Sequence, residues 1–455
     1  MTYSASKIKP KQQPLVVRRF SVNIEQNLYK IERFLLILLI YFAPMHKVAL
    51  DIGVRLRPTQ FITVLLIGVL VVRILFTKTL YIPSKTLMLL VFAIFLSSVA
   101  SGMFIISLDL YAKGMITLVL NLSVLLFFSL HVRNLDDVKD MWKHWLVISI
   151  IMSVYGVLQY ALWRYDRTDI DDLLLGWLNL RKSGLSFYAA QAQRITSLAL
   201  DPNNLSIYYT TVVPLWTYML VKQKLGLKWL GIFVAWALVN LVNILTLSRS
   251  GLGGLIIGTV LTFPFLLIML GKHKILLLRI MLVLIAVFAF FVMILYYYSI
   301  EYWVNILTLR LSMSAGTQRH LDLTWESLEI FMLSPIVGIG VTQFAAWYQR
   351  LFLPGESADW NTHNGFLTIL TETGIIGMII YGIFFLYIFM QLVKVFSYSR
   401  QWRLMSVFLI WAFISYLVGN MGYNSFTFLN FWIFVALVLA SSRIWLRDRK
   451  ALTIS

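Results

Sequence analysis

The sequence predicts an all-α, polytopic integral membrane protein, and three observations carry that prediction. Hydrophobic residues make up 60% of the chain and charged residues only 13%, with a mean hydropathy of +0.80, whereas soluble proteins carry roughly 25% charged residues. Apolar runs long enough to cross a bilayer recur from end to end. Lys and Arg recur in alternate loops between these runs, as they do in loops on the cytoplasmic side of a membrane.

About twelve transmembrane helices are expected. The predicted spans are 31–45, 60–76, 86–106, 111–130, 145–162, 204–221, 228–247, 250–270, 275–298, 365–392, 404–420 and 426–445. An even number places both termini on one side, and the distribution of Lys and Arg makes that side the cytoplasm. The net charge of +19 is then a topology signal, so nucleic acid is not expected as a partner.

The rest of the chain divides around this transmembrane bundle, which occupies 31–445. Residues 1–30 form a basic cytoplasmic segment without the apolar core of a cleavable signal peptide, and 446–455 form a cytoplasmic tail. Two long outer loops, 163–203 and 299–364, are expected outside the cytoplasm. The second contains a predicted amphipathic helix near 317–332 with an apolar stripe, Leu321, Trp325, Leu328 and Met332.

Four polar residues at the predicted outer edge of the bundle are candidates for chemistry. His363 precedes the helix expected at 365–392, where the positive end of the helix dipole disfavours imidazolium and keeps the ring available as a general base. Arg194, Arg249 and Arg319 lie at span ends or in the outer loops, and guanidinium groups bind diphosphates well. Simpler interpretations remain open, namely a capping histidine, a snorkelling Arg249 and solvated Arg194 and Arg319.

Further residues would support this site. Ser248 and Ser250 flank Arg249 and offer hydroxyls to an anion, and Asn364 follows His363. Glu372 lies inside a predicted span, where it could pair with Arg249 or relay protons. Asn203 or Asn204 is expected to cap the helix that follows, with Asp201 complementing its dipole.

Neither a cofactor nor a metal is predicted. The chain has no cysteine, and it contains no glycine-rich nucleotide motif and no paired Cys/His spacing. The acids between Asp166 and Asp172 could hold a divalent cation, although a solvated acidic turn accounts for them as well.

These residues resemble one family in particular. His363-Asn364, nine residues, then Gly374-x-x-Gly377 matches the ligase motif of the O-antigen ligase and O-antigen polymerase superfamily of bacterial membrane glycosyltransferases. Arg194 before Pro202-Asn203, the run Ser248-Arg249-Ser250-Gly251, and Arg319 in the outer loop support the resemblance.

The resemblance implies a metal-independent, inverting glycosyltransferase of the bacterial cytoplasmic membrane with its active site on the outer face. Such an enzyme transfers a glycan from undecaprenyl diphosphate to an acceptor hydroxyl. His363 would be the base, and Arg194, Arg249 and Arg319 would bind the diphosphate. A ligase uses lipid A-core or a similar glycolipid as acceptor, whereas a polymerase, the first alternative, joins lipid-linked repeat units.

An alternative of another class is a lipid-linked glycan flippase or proton-coupled transporter. Transporters usually carry polar residues at mid-membrane and often contain internal repeats. The polar residues of this chain concentrate instead at the predicted outer edge. That distribution favours an enzyme whose partners are lipid-linked glycans and membrane lipids.

Overall fold

The computed structural model describes residues 15–51, 55–77, 84–166, 170, 188–189, 192–270, 315–354 and 362–452. Thirteen α-helices lie in these ranges. They are α1 (Leu15–Phe42), α2 (Pro58–Thr77), α3 (Lys85–Ala100), α4 (Leu108–His131), α5 (Leu135–Asp166), α6 (Pro202–Lys222), α7 (Leu227–Leu245), α8 (Arg249–Leu270), α9 (Ala315–Phe331), α10 (Phe344–Phe352), α11 (Gly365–Tyr398), α12 (Arg403–Gly419) and α13 (Leu429–Leu452). A short 3-10 helix (Ser101–Phe104) follows α3, and two antiparallel pairs of two-residue strands are present, β1 (Leu50–Asp51) with β2 (Arg55–Leu56) and β3 (Tyr188–Ala189) with β4 (Ala192–Gln193).

Eight of the described helices are long and apolar enough to cross a membrane, which makes the chain a multi-pass membrane protein. They are α2, α3, α4, α5, α7, α8, α11 and α13, and each coincides with a predicted span. The predicted spans 31–45, 204–221 and 404–420 also fall in helices, but α1 and α6 are not among the eight and α12 has only 17 residues. The span 275–298 lies outside the described residues, so the total of twelve stays a prediction.

The most polar of the predicted spans, 204–221, forms the buried helix α6. Its hydroxyls are satisfied locally, since Thr210 Oγ1 and Thr211 Oγ1 each donate to a carbonyl three residues earlier. Ser206 Oγ donates to Asn243 Oδ1 of α7 at 2.6 Å. Polar groups paired in this way are tolerated in a core that excludes water.

Helix α8, which begins at Arg249, packs very closely against α12. A Cβ atom at Gly254 would lie 2.6 Å from the carbonyl oxygen of Ser415, and one at Gly258 would overlap the Ser415 side chain. Small residues four apart allow such an approach between membrane helices. The contact fixes the position of α8 and therefore of Arg249 at its first turn.

The amphipathic helix predicted near 317–332 is confirmed as α9, Ala315–Phe331. The face turned towards the protein is formed by Leu323, Ser327 and Ile330, all buried. Most of the predicted stripe points the other way, because Leu321, Trp325 and Met332 are exposed. Helix α9 thus has apolar residues on two sides, and the periodicity of the sequence identified only the exposed side.

Candidate active site

A polar cavity of about 360 Å³ brings together three of the four principal candidates, Arg194, Arg249 and His363. They reach it from the segment before α6, from the start of α8 and from the segment before α11. Its other lining residues are Asn203, Ser250, Thr324, Thr362, Asn364, Met421 and Gly422. Residues from distant parts of the sequence therefore form one basic, hydrogen-bonding pocket.

Arg194 is held in a fixed orientation. Its Nε donates to the carbonyl oxygen of Thr246 at 2.9 Å, and its Nη2 donates to Asn203 Oδ1 at 2.9 Å. Thr246 is the C-terminal cap of α7, and Asn203 lies in the first turn of α6. A guanidinium that is oriented in advance loses less conformational entropy when it binds an anion.

Ser248 and Ser250 have different positions in this pocket. Ser248 is buried, accepts a hydrogen bond from the backbone N–H of Gly251 and donates from Oγ to Asn203 Oδ1 at 2.9 Å. Ser250 lines the cavity, with its Oγ 3.1 Å from Ser248 Oγ. Ser248 therefore caps α8 and joins it to α6, and Ser250 offers its hydroxyl to the cavity.

Arg249 is the first residue of α8, and its side chain lines the cavity while more than a third of it is exposed. The N-terminus of a helix carries partial positive charge from its dipole and its unpaired N–H groups. The guanidinium and the helix terminus thus act on the same region of the cavity, where they favour an anion.

His363 lies just before the N-cap of α11. Asn364 is that cap, since its Oδ1 accepts from the backbone N–H of Phe366 at 3.0 Å and of Leu367 at 3.1 Å. Thr362 Oγ1 donates to the carbonyl oxygen of Asn364 at 2.7 Å. Because Asn364 caps the helix, the half-buried His363 imidazole is placed at the helix mouth without serving as the cap itself.

One residue that lines this cavity, His363, has a strained backbone conformation. Among the described residues, four other than glycine have positive φ: Ser197 (51°), Leu247 (51°), Thr342 (60°) and His363 (48°). Ser197 follows Arg194 by three residues, Leu247 precedes Arg249 by two, and His363 is itself a candidate. Such conformations cost about 1–3 kcal/mol and cluster at functional sites. Of the four residues, His363 lines this cavity, whereas Thr342 lines the separate cavity that contains Glu372.

Asp201 supplies the N-cap of α6, which corrects the expectation that Asn203 or Asn204 would do so. Its carboxylate accepts from the backbone N–H of Asn203 at 2.6 Å. Burial raises the pKa of the Asp201 carboxyl above its ordinary value, and this hydrogen bond and the charge of Arg194 counteract the rise. Because Asp201 caps α6, the side chain of Asn203 is available to orient Arg194 and Ser248.

The turn between α12 and α13 was not identified as part of the site from the sequence. Asn420 accepts from the backbone N–H of Gly365 at 2.8 Å through its carbonyl oxygen, and Met421 and Gly422 line the cavity. Tyr423 is buried with its ring centroid 6.4 Å from that of His363, and burial raises the pKa of its phenol well above 10. Gly, Asn and Ser in this turn are typical of a loop, but spacing in the sequence does not identify what the loop contacts.

Arg319 lies in α9, and its side chain lies outside the described part of the chain. Thr324 of the same helix lines the cavity. Five residues of α-helix span about 7.5 Å along the axis, so α9 brings its backbone at Arg319 to the neighbourhood of the site.

The acidic residues 169, 171 and 172 lie outside the described part of the chain. Within the described part, no cluster of His, Asp and Glu is suited to hold a metal ion.

Glu372 is placed apart from the arginines, in contrast to the pairing with Arg249 considered from the sequence. It lines a separate cavity of about 230 Å³, and its carboxylate accepts from the backbone N–H groups of Thr342 and Phe344. Phe344 begins α10, so the acid lies at the positive end of that helix. Glu372 therefore fastens the segment before α10 to α11.

The same segment docks into a break in α11. Gly374 has φ 67° and ψ −170° inside the helix, and the freed N–H groups of Ile375 and Ile376 donate to the carbonyls of Pro335 (2.9 Å) and Ile336 (3.2 Å). In return the N–H of Gly340 donates to the carbonyl oxygen of Glu372 at 3.1 Å. This backbone pairing explains why glycines occur at 338 and 374, since a Cβ at either would overlap the opposing main chain.

Comparison with known proteins agrees with this geometry. The O-antigen ligase family model matches residues 215–382. The matched region contains Arg249, Ser250, His363 and Glu372, and Arg194 precedes it. A search of curated proteins gave no significant match. The described residues include eight helices able to cross a membrane, and the region that is similar to the O-antigen ligase family contains the candidate histidine together with Arg249 and Arg319.

Proposed function

We propose that this protein transfers a glycan from undecaprenyl diphosphate to an acceptor hydroxyl on the outer face of the bacterial cytoplasmic membrane, in the manner of an O-antigen ligase. The observation that carries the proposal is the single cavity lined by Arg194, Arg249 and His363. It combines two groups suited to a diphosphate with one suited to activating a hydroxyl. The acceptor would be lipid A-core or a similar glycolipid.

The arginines would bind the leaving diphosphate. Arg194, oriented by Asn203 and Thr246, and Arg249, at the N-terminus of α8, present two guanidinium groups to one region. Arg319 on α9 is proposed as a third. As the bond from the anomeric carbon to the diphosphate breaks, its electron pair stays on the phosphate oxygen. Fixed positive groups stabilise this developing charge without needing to reorganise.

His363 would act as the general base. A neutral imidazole nitrogen accepts the proton of the acceptor hydroxyl as its oxygen forms a bond to the anomeric carbon. The acceptor attacks opposite the departing diphosphate, so the configuration at that carbon inverts. In this mechanism protein side chains supply both the charge and the base, and no metal takes part. Supporting roles are proposed for Ser250 in the cavity, for Ser248 and Asn364 as helix caps, and for Glu372, which fastens the segment before α10 to α11.

The direct test uses purified protein in liposomes with a lipid-linked glycan donor. His363→Ala is expected to lower the transfer rate by roughly 10²–10⁴-fold, the range typical of general-base catalysis, while membrane insertion and thermal stability are retained. His144→Ala, which removes a partly buried histidine of α5 outside the cavity, is the matched control. Transfer by His363→Ala at the control's rate would refute the assignment of the base.

The choice of acceptor separates a ligase from a polymerase. The same liposomes would receive either lipid A-core or a second lipid-linked repeat unit, and the product would be separated by size. Transfer to lipid A-core alone supports the ligase, and extension of the lipid-linked unit identifies a polymerase. Movement of the donor across the bilayer without glycosidic bond formation would identify the flippase alternative.

A further inference from the structure

A larger cavity, of about 750 Å³, lies at the opposite end of the bundle from the candidate active site, between α3, α11 and α13. On α11 its residues run from Ile383 to Lys394, whereas the active-site cavity begins before Gly365. From Gly365 to Lys394 the helix spans about 43 Å. The two cavities are therefore separate sites at opposite ends of the bundle.

The charge of this second cavity is one-sided. Among the described residues that line it, Lys394, Arg443 and Arg447 are basic and none is acidic. Arg443 Nη1 donates to the carbonyl oxygen of Ser129 at 2.8 Å, and Arg447 Nη2 donates to that of Arg133 at 2.6 Å. Arg443 Nη2 also donates to the carbonyl oxygen of Val132, and these bonds hold the two guanidinium groups at the C-terminal end of α4. Together with the exposed Lys394 they favour an anion.

The remaining wall of the cavity is apolar and continuous with the outside of the bundle. Ile383, Leu386 and Met390 of α11 line it and are 51%, 58% and 43% exposed. In a membrane protein such side chains face lipid. Tyr387 OH lies 3.2 Å from Ser84 Oγ between this wall and the basic end. The cavity thus joins a cationic end to an apolar side, which matches a molecule with an anionic head and hydrocarbon chains.

We propose that this cavity is a binding site for an anionic membrane phospholipid. Its phosphate lies against Lys394, Arg443 and Arg447, and an acyl chain follows Ile383, Leu386 and Met390. Basic pockets between transmembrane helices bind anionic head groups in this way. The apolar wall distinguishes a lipid from a soluble phosphate, which would leave that wall without a partner. This site is independent of the transfer reaction proposed for the other cavity.

The test is native mass spectrometry of the purified full-length protein in detergent, titrated with dioleoylphosphatidylglycerol. One or more lipids are expected to stay bound, and dioleoylphosphatidylcholine is expected to bind more weakly. Each basic residue near a phosphate contributes about 1 kcal/mol. Lys394→Gln should therefore weaken binding about fivefold, and Lys394→Gln with Arg447→Gln about 30-fold. Lys394 is exposed, so the single variant keeps the fold even if the double variant does not.

Lys224→Gln with Lys228→Gln is the matched control, because it removes the same charge from two exposed lysines that do not line the cavity. It should bind the anionic lipid as the wild type does. Equal binding of the two lipids, or equal loss in control and cavity variants, would overturn the proposal. Displacement of the lipid by glycerol phosphate at comparable concentration would identify a soluble phosphate as the ligand and would also overturn it. Since no glycan transfer is measured, failure here leaves the proposed function standing.

Discussion

The guanidinium of Arg194 and the side-chain amide of Asn203 are joined by a hydrogen bond of 2.9 Å from Nη2 to Oδ1. The same oxygen accepts from Ser248 Oγ at 2.9 Å. One amide therefore fixes an arginine from the segment before α6 and the cap of α8 at once. Asn203 therefore aligns the two cationic segments of the candidate site. It can influence the binding of an anion in the cavity without contacting the anion.

Asn203→Ala is expected to lower the kcat/KM of glycan transfer about 10–100-fold, since hydrogen bonds to charged groups contribute about 1.5–3 kcal/mol. Arg194 would remain but would lose its orientation. Asn240→Ala is a suitable control, because it removes a half-buried amide of α7 whose hydrogen bond, among the described residues, is to Trp236 of its own helix. The kcat/KM of glycan transfer would be measured for both variants in liposomes. A decrease for Asn203→Ala no larger than that for Asn240→Ala would show that other contacts orient Arg194.

Arg249→Lys tests whether the shape of the guanidinium matters in addition to its charge. Lysine keeps the positive charge but cannot donate two parallel hydrogen bonds to a phosphate. We expect a loss of about 10–100-fold in kcat/KM. Arg400→Lys, an exposed arginine between α11 and α12, should transfer at the wild-type rate. If lysine substitutes freely at 249, the residue supplies only charge, as a snorkelling side chain would.

Much of the site could be predicted because its strongest features are local. The helix start after His363 and the turn before α8 are determined by neighbouring residues, Asn364 and Ser248, whose caps the structure shows directly. The helix near 317–332 followed from its periodicity. Local hydrogen bonds and periodicity act over a few residues, and a sequence displays them in order.

The remainder depends on contacts between distant segments. Glu372 appeared to be a charge in need of a cation, but its partners are backbone N–H groups about 30 residues earlier, at Thr342 and Phe344. No side-chain type marks a backbone donor in a sequence. Likewise Asn420 reaches Gly365 across 55 residues through a main-chain carbonyl. Such pairings are fixed by the tertiary fold, so spacing alone did not reveal them.

Gly374→Ala tests the docking of the segment before α10 on α11. Alanine at φ 67° is strained, and its Cβ would overlap the carbonyl of Ile336. The expected destabilisation is about 3 kcal/mol, seen as a lower melting temperature in detergent and as reduced transfer. Gly382→Ala lies on the same helix with nothing within 4 Å of the added carbon, so it should be neutral or slightly stabilising. Equal melting temperatures for the two variants would exclude a structural role for the break.

The orientation of the chain can be tested by cysteine labelling, because the native sequence contains no cysteine. Thr427 lies in the turn between α12 and α13, whose Met421 and Gly422 line the candidate active site, and Ser397 lies at the far end of α11; both side chains are exposed. With both termini cytoplasmic, Thr427→Cys should react with an impermeant maleimide in cells with a permeabilised outer barrier. Ser397→Cys should react only after lysis. The reverse pattern would place the cavity in the cytoplasm and refute a reaction on the outer face.

The last prediction concerns metal. Phosphate chemistry commonly uses Mg²⁺ to neutralise a leaving group, and here Arg194 and Arg249 are proposed to supply that charge. The purified protein should therefore keep its transfer activity in excess EDTA, measured with donor and liposomes freed of divalent cations beforehand. Addition of Mg²⁺ or Mn²⁺ should raise the rate less than twofold. Activity that is lost in EDTA and restored by either ion would indicate a catalytic cation. The acids between Asp166 and Asp172 would then be the first ligands to substitute, and the arginines would no longer be the main binding groups for the diphosphate.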